Sequence, residues 1–306
     1  MEIKKVVIVG LGALGVMYGD FFTKKLGKEN VEFIANSNRI NRYIVDGIYC
    51  NGKACDYTFV DEEDATDPAD LLIFAVKATG LEAAIRTVRN KVSKNTIMMS
   101  LLNGISSEEI IGNVYGMEKI IHCVVQGMDA VKVDNKVTYS QFGQVCLGIA
   151  EQSEDKKQKL QVVLELFQKV EMPYTLEKDI IRRLWSKFML NVGVNQVIMI
   201  YEGTYETVQT PGEARDLMQN AMKEVLMLAQ KEKVNVTQED FDDYVDLIDR
   251  MNPKGMPSMR QDGLAHRRSE VELFAGTVIA LAKKHKIEVP VNQKIYEIVR
   301  KMESGY

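Results

Sequence analysis

No two of the four cysteines, Cys50, Cys55, Cys123 and Cys146, stand in a CxxC spacing, and the three histidines, His122, His266 and His285, do not cluster with them. The usual signatures of a zinc site are missing, so no metal is expected. Scattered thiols fit a reduced, cytoplasmic protein better than a disulfide scaffold. No stretch holds about 18 uninterrupted apolar residues, the length that a membrane span needs. The opening MEIKKVVIVGLG has a short apolar run that ends in glycines, unlike a signal peptide. Neither charge predominates: 39 Lys and Arg against 43 Asp and Glu leave a formal net charge of −4, which argues against a general nucleic-acid binder. No internal repeat or low-complexity linker interrupts the chain. Its 306 residues are too many for one small core, so two domains are expected.

What is present divides near residue 180. The first half alternates short β-branched runs with helical patterns. KVVIV (5–9), VEFIA (31–35), DLLIFAV (70–76) and TIMMSLL (96–102) read as strands, with helices near 13–26, 80–91 and 106–114. Apolar strands alternating with helices predict a Rossmann-type, doubly wound parallel sheet. The stretch 136–150 reads as a hairpin-like pair, and a helix over 154–170 follows. From 179 onward only helical patterns appear, over 182–200, 212–233, 237–251, 258–285 and 292–303. The expected class is α/β: a dinucleotide-binding domain over 1–178 and an all-α domain over 179–306, with a site in the cleft between them.

VVIVGLGALG places Gly10, Leu11, Gly12, Ala13, Leu14 and Gly15 in a G-x-G-x-x-G loop after the first strand and before a helix. Gly10 permits the tight turn, Gly12 admits a pyrophosphate, and Gly15 lets helix and strand pack closely. The helix start offers free N–H groups to phosphate. A bare strand-to-helix turn is the plainer alternative. At the end of the second strand an acid would accept from the 2′-hydroxyl of NAD. Here the strand ends FIANSNR, with Asn36 in that place and Arg39 and Arg42 behind it. That pattern favours NADPH, with NADH left open. The arginines also suit a solvated first turn. Lys77 and Asn103 end the third and fourth strands, where ligands of such sheets bind. Either also suits a surface turn.

The stretch RRLWSKFMLNVGVNQVIMI (182–200) is apolar nearly all round, as a buried helix is. Yet Lys187, Asn191 and Asn195 fall at i, i+4 and i+8, one stripe about 80° wide. Snorkelling explains a lone lysine, and helix contacts explain a lone amide. Three together favour a substrate site. Partial burial disfavours the charged ammonium, which readies it to donate a proton. A carboxylate is expected nearby: Glu270, with Glu272 and Asp262 as competitors. Ser258 and Gln261 have the S-x-x-Q form of a capping box, so a helix is expected to start there, with Glu270 three turns along it. Ser258 serves either as that cap alone or as a ligand of a substrate carboxylate.

These residues resemble the ketopantoate reductases (2-dehydropantoate 2-reductases). The carriers are GLGALG, VKAT (76–79), LLNG (101–104), RRLWSKFMLNVGVN (182–195), PSMRQD (257–262) and RRSEVE (267–272), in order across nearly the whole chain. The resemblance implies that Lys187 is the general acid and that Asn103 lies between nicotinamide and substrate. It implies that Asn191 and Asn195 contact substrate and that Ser258 binds its carboxylate. Glu270 would lie close to cofactor and lysine, and Lys77 on the cofactor side. Three places depart from the pattern. Asn36-Ser37-Asn38 stands where an arginine is common. VELFAG puts Ala275 in place of an asparagine. YEGTYE puts Tyr205 where some members use an asparagine on the substrate.

The expected function is NAD(P)H-dependent reduction of a 2-oxo acid, 2-dehydropantoate to (R)-pantoate in pantothenate biosynthesis. Three alternatives stand beside it. One is a broader D-2-hydroxyacid dehydrogenase of the same family. The second is a β-hydroxyacid dehydrogenase, whose K-x-x-x-N helix matches Lys187 and Asn191. The third is a non-catalytic dinucleotide sensor. The expected partner is a small-molecule 2-oxo acid, with no nucleic acid and no membrane, and a homodimer is left open.

Overall fold

The computed structural model describes residues 2–64 and 67–306. The chain divides into two compact units, Met1–Ile180 and Ile181–Tyr306. The first is built on a five-stranded parallel sheet in the order Thr58–Asp61, Val31–Ala35, Val6–Val9, Leu71–Phe74, Ile97–Ser100. Its three central strands are buried along their whole length. Alternate residues therefore enter separate cores. Ile8, Phe33 and Ile73 pack on one face, and Val9, Ile34, Leu72 and Phe74 on the other. That two-sided burial is why these segments read as continuous apolar runs.

The stretch 136–150 is not one hairpin. Lys136–Thr138 pairs antiparallel with Val131–Val133 and parallel with Tyr49–Cys50, in a small four-stranded sheet. Phe142–Gly148 pairs antiparallel with His122–Met128 and parallel with Tyr174–Leu176. Asp129 separates the two segments: its Oδ1 accepts from the backbone amides of Ser140 at 2.9 Å and Gln141 at 2.7 Å. Gly143 then allows a close crossing, since a Cβ there would lie 2.2 Å from the Gln126 carbonyl oxygen.

The second unit contains the helices Glu213–Lys231, Gln238–Asp249, Ser258–Leu264, Thr277–His285 and Pro290–Glu303, packed with the long helix Ile180–Ile200. Leu184, Trp185, Phe188, Met189, Val192, Val194, Val197, Ile198 and Met199 of the long helix are all buried. Gly193 permits its close approach to Glu213–Lys231, because a Cβ would lie 2.5 Å from Met222 Cγ and 3.0 Å from the Met218 carbonyl. Arg182 fixes its near end through hydrogen bonds to both carboxylate oxygens of Asp240, from Nε at 3.0 Å and from Nη2 at 2.9 Å. The last helix has a borrowed cap: buried Glu224 accepts from the amides of Val291 at 2.8 Å and Asn292 at 2.9 Å. Among the described residues no helix is long and apolar enough to cross a membrane.

The segment 258–285 is not one helix, contrary to its continuous apolar pattern. Ser258–Leu264 ends at His266, whose φ is 48°, and a π turn over Glu272–Gly276 leads into Thr277–His285. The break is held by buried Glu303, which accepts the Ser269 amide at 2.7 Å, and by Asp262, which pairs with Arg267 at 3.0 Å.

Candidate active site

The glycine loop has the strained and crowded geometry that its spacing requires. Gly10 has φ +99°, and a Cβ there would lie 2.6 Å from the Ala75 carbonyl oxygen. A Cβ on Gly15 would lie 2.0 Å from the Gly10 carbonyl oxygen. Helix Ala13–Leu26 starts at Gly12 without any side-chain cap, and the first amides of a helix have no intrahelical acceptor. Ala13 is the first helical residue, and Leu14 packs into the core. Around this loop opens a cleft of about 330 Å³, lined by Gly10, Leu11, Gly12, Asn36, Arg39, Arg42 and Lys77 among others. Lys77 is exposed and opens the turn Ala78–Gly80.

The tip of the second strand differs from its sequence reading in one respect. Asn36 caps the helix Ser37–Asp46, its Oδ1 accepting from the Arg39 amide at 3.0 Å. A carboxylate does stand alongside, supplied by the neighbouring strand: Asp61 is in register with Ala35 and accepts a hydrogen bond from the Ser37 hydroxyl. The Glu63 amide, donating at 3.0 Å, and then that hydroxyl hold the Asp61 carboxyl below the usual carboxylate range.

Asn103 is half-buried in the loop after Ile97–Ser100. A buried polar chain links the strand before this loop to the helix after it. The Ser100 and Ser107 hydroxyls are 2.8 Å apart, and the Ser107 hydroxyl donates to Glu108 Oε2 at 2.7 Å. Burial pushes the fully enclosed Glu108 carboxyl up from 4.5 to about 7. The folded state therefore keeps a proton that the unfolded chain releases between pH 4.5 and about 7. The contribution of Glu108 to stability is highest below that window and falls by about 3 kcal/mol as pH rises through it. Buried His122, pushed down to about 4, acts in the opposite sense as pH falls. Comparing wild type with Glu108→Gln cancels the histidine. The variant is expected to hold its unfolding free energy between pH 5 and 8 relative to wild type, and to be the more stable protein at pH 8. Parallel pH profiles of the two proteins in urea titrations would count against this.

In the second unit, Asn191 and Asn195 are 8% and 7% exposed and Lys187 is half-buried, on a helix otherwise given to the core. The stripe is thus polar where burial is nearly complete. Ser258 departs from its predicted capping box: Pro257 is the N-cap and Ser258 the first helical residue. Gln261 donates instead to the Met256 carbonyl, at 3.3 Å. The preceding proline holds that backbone extended, so the exposed Ser258 hydroxyl is not required as the cap. Glu270 lies past the helix break, not three turns along one helix. Its competitors have other partners, Asp262 pairing with Arg267 and Glu272 accepting from the Tyr296 hydroxyl at 2.6 Å. Tyr205 is held against the 252–255 turn, where a Cβ on Gly255 would lie 2.9 Å from its ring, and Ala275 is fully buried in the π turn.

Two family models cover the chain. "Ketopantoate reductase PanE/ApbA" matches residues 6–152, and "Ketopantoate reductase PanE/ApbA C terminal" matches 179–303. The chain belongs to the ketopantoate reductase family. This family member is 26% identical over 307 residues to the 2-dehydropantoate 2-reductase of Aquifex aeolicus (strain VF5), covering 98% of this chain and 97% of that one. It is 25% identical over 312 residues to that of Shigella flexneri, covering 99% and 96%. Among solved structures, D-mandelate dehydrogenase with NADH and anilino(oxo)acetate has the same fold, with TM-score 0.86, 22% identity and coverage of 98% and 99%. The PanE/ApbA family ketopantoate reductase from Ralstonia eutropha JMP134 follows, with TM-score 0.84, 21% identity and the same coverage.

Gln196 is a residue of this reductase-family chain that pattern reading passes over. It is fully buried beside Asn195, donates to the Val192 carbonyl at 2.7 Å and accepts the Ala275 amide at 3.0 Å. The π turn frees that amide from its helical partner, and Gln196 satisfies it. Gln196→Met leaves a buried N–H without an acceptor and is expected to cost roughly 1–3 kcal/mol. Urea unfolding measures the cost, and a change under about 0.5 kcal/mol, the surface-substitution range, would remove Gln196 from this role.

Proposed function

We propose that this protein is an NADPH-dependent oxidoreductase that reduces 2-dehydropantoate to (R)-pantoate in the cytoplasm, with NADH as a secondary donor. The observation that carries the reading is the stripe of one ammonium and two amides on a core helix. One ammonium and two amides in line on an otherwise apolar core helix suit a small polar ligand. Residues 1–178 serve the dinucleotide and residues 179–306 the 2-oxo acid. The glycine loop fits the cofactor, since the space a Cβ would fill at Gly10 and Gly15 is the space the turn needs and its helix start offers amides to phosphate. When bound, the nicotinamide supplies the hydride. Gly10, Leu11, Gly12, Ala13, Leu14 and Gly15 cradle the pyrophosphate, with Asn36, Arg39 and Lys77 along the same cleft. Asn103 orients nicotinamide and substrate. Ser258, Asn191 and Asn195 hold the substrate carboxylate and polar side chain. Lys187 gives its proton to the carbonyl oxygen, and Glu270 keeps the ammonium in place.

A second reading, a broader D-2-hydroxyacid dehydrogenase, is favoured by Tyr205 and Ala275, which replace the amides common on the substrate side. Initial rates with a panel of 2-oxo acids, each with NADPH and with NADH, test both. Turnover of 2-dehydropantoate with NADPH supports the first reading. Turnover only of acids without a side-chain hydroxyl supports the second, and cofactor binding without turnover of any acid sinks both.

A further inference from the structure

The small four-stranded sheet reaches the glycine loop with one side chain. Lys132, on its edge strand Val131–Val133, donates from Nζ to the Leu11 carbonyl, 121 residues away in sequence. Leu11 lines the same cleft as Arg39 and Arg42. Lys132, Arg39 and Arg42 form no ion pair among the described residues. Burial first, and the charge of Arg42 second, hold the Lys132 ammonium below its usual value. Arg39 and Arg42 therefore line the cleft, and Lys132 reaches its wall through the Leu11 carbonyl, while the nearby Asp61 carboxylate is engaged by the Ser37 hydroxyl and the Glu63 amide. Lys132 is partly desolvated and repelled by Arg42. A phosphate there would supply a counter-charge that offsets both effects.

We propose that Lys132, delivered by the hairpin 131–138 to the Leu11 carbonyl, joins Arg39 and Arg42 in binding the 2′-phosphate of the adenosine half of NADPH. The segment Asn36-Ser37-Asn38, at the usual site of the phosphate-binding arginine, leaves that charge to come from elsewhere in the fold. The assignment rests on the dinucleotide reading of the cleft. It concerns the 2′-phosphate and not the pyrophosphate, which the helix start already serves with backbone amides.

The test is calorimetric binding of adenosine 2′,5′-bisphosphate and of adenosine 5′-monophosphate to the full chain. Lys132→Gln keeps a donor for the Leu11 carbonyl and removes the charge. It is expected to weaken the bisphosphate about ten- to a hundredfold, the range of a charged hydrogen bond, and the monophosphate by less than about twofold. Lys132→Arg is expected to restore the bisphosphate to within a few fold. Equal weakening of both ligands would assign Lys132 to holding the loop and overturn the proposal, as would an unchanged bisphosphate affinity. Should Lys132→Gln not fold, wild type decides: its preference for the bisphosphate must fall with added salt, and a salt-independent preference overturns the proposal. If wild type binds neither ligand, the dinucleotide reading itself is overturned and this assignment with it. If wild type binds both equally, only the assignment is.

Discussion

Lys187→Ala is expected to lower kcat by roughly 10²–10⁴, the contribution of a positioned general acid, while dinucleotide affinity stays within about twofold. The split follows from the placement of the residue. Lys187 belongs to the second unit, on the helix Ile180–Ile200, whereas the glycine loop and the cleft around it belong to the first. Its backbone is fixed on both sides by core residues, Ser186 and Phe188 being 2% and 1% exposed, so truncation removes the ammonium without releasing the helix. Asn191 one turn on and Asn195 two turns on remain to hold the substrate, so KM is expected to change less than kcat. Lys187→Arg tests the proton rather than the charge: guanidinium does not deprotonate near neutral pH and is expected to rescue binding but not turnover. The measurement is steady-state kinetics with the best substrate, together with direct cofactor titration. Near-full turnover in the alanine variant would remove Lys187 from the chemistry.

The second large effect concerns substrate choice. A site that hydrogen-bonds a substrate hydroxyl rejects the analogue lacking it by about 10⁴ or more, because its own buried polar groups are then left unpaired. Asn191 and Asn195, nearly enclosed on a core helix, are groups of that kind. The expected result is that kcat/KM for 2-dehydropantoate exceeds that for 2-oxoisovalerate by about that factor. Methyl-sized differences alone give only ten- to about two-hundredfold. A ratio in that lower range means an apolar site. Faster reduction of 2-oxoisovalerate or phenylglyoxylate would falsify the pantothenate role and leave a broader 2-hydroxyacid dehydrogenase.

Elements that bury both faces or repeat a helical period were legible from residues alone. Val31–Ala35 was bounded to the residue, and the long helix was recognised because its polar exceptions are so few. Thr58–Asp61 was not read, since it is a half-buried edge strand followed by the acidic run 61–64 and has no continuous apolar stretch. The pairing of Phe142–Gly148 with His122–Met128 was missed because nothing local marks a partner that far back in the chain. The break after Leu264 was hidden by an apolar pattern that runs on through it, although the structure turns at His266 and is pinned by Glu303 and Arg267. Lys132 reads in sequence as an ordinary solvated charge, and only the fold brings it to Leu11. Asp61 likewise stands beside the second strand in space and not in sequence.

The π turn over Glu272–Gly276 has a meaning for chain length. The Gly276 amide reaches back five residues to the Val271 carbonyl at 3.0 Å, so this turn holds one residue more than an α-helical turn would. Gln196 accepts the amide that the surplus leaves over. A one-residue deletion here converts a π turn to an α turn and frees Gln196. When relatives of this family are aligned, a single-position gap between Glu270 and Thr277 is therefore a change of helix type, and residues on its two sides are to be matched as separately phased segments.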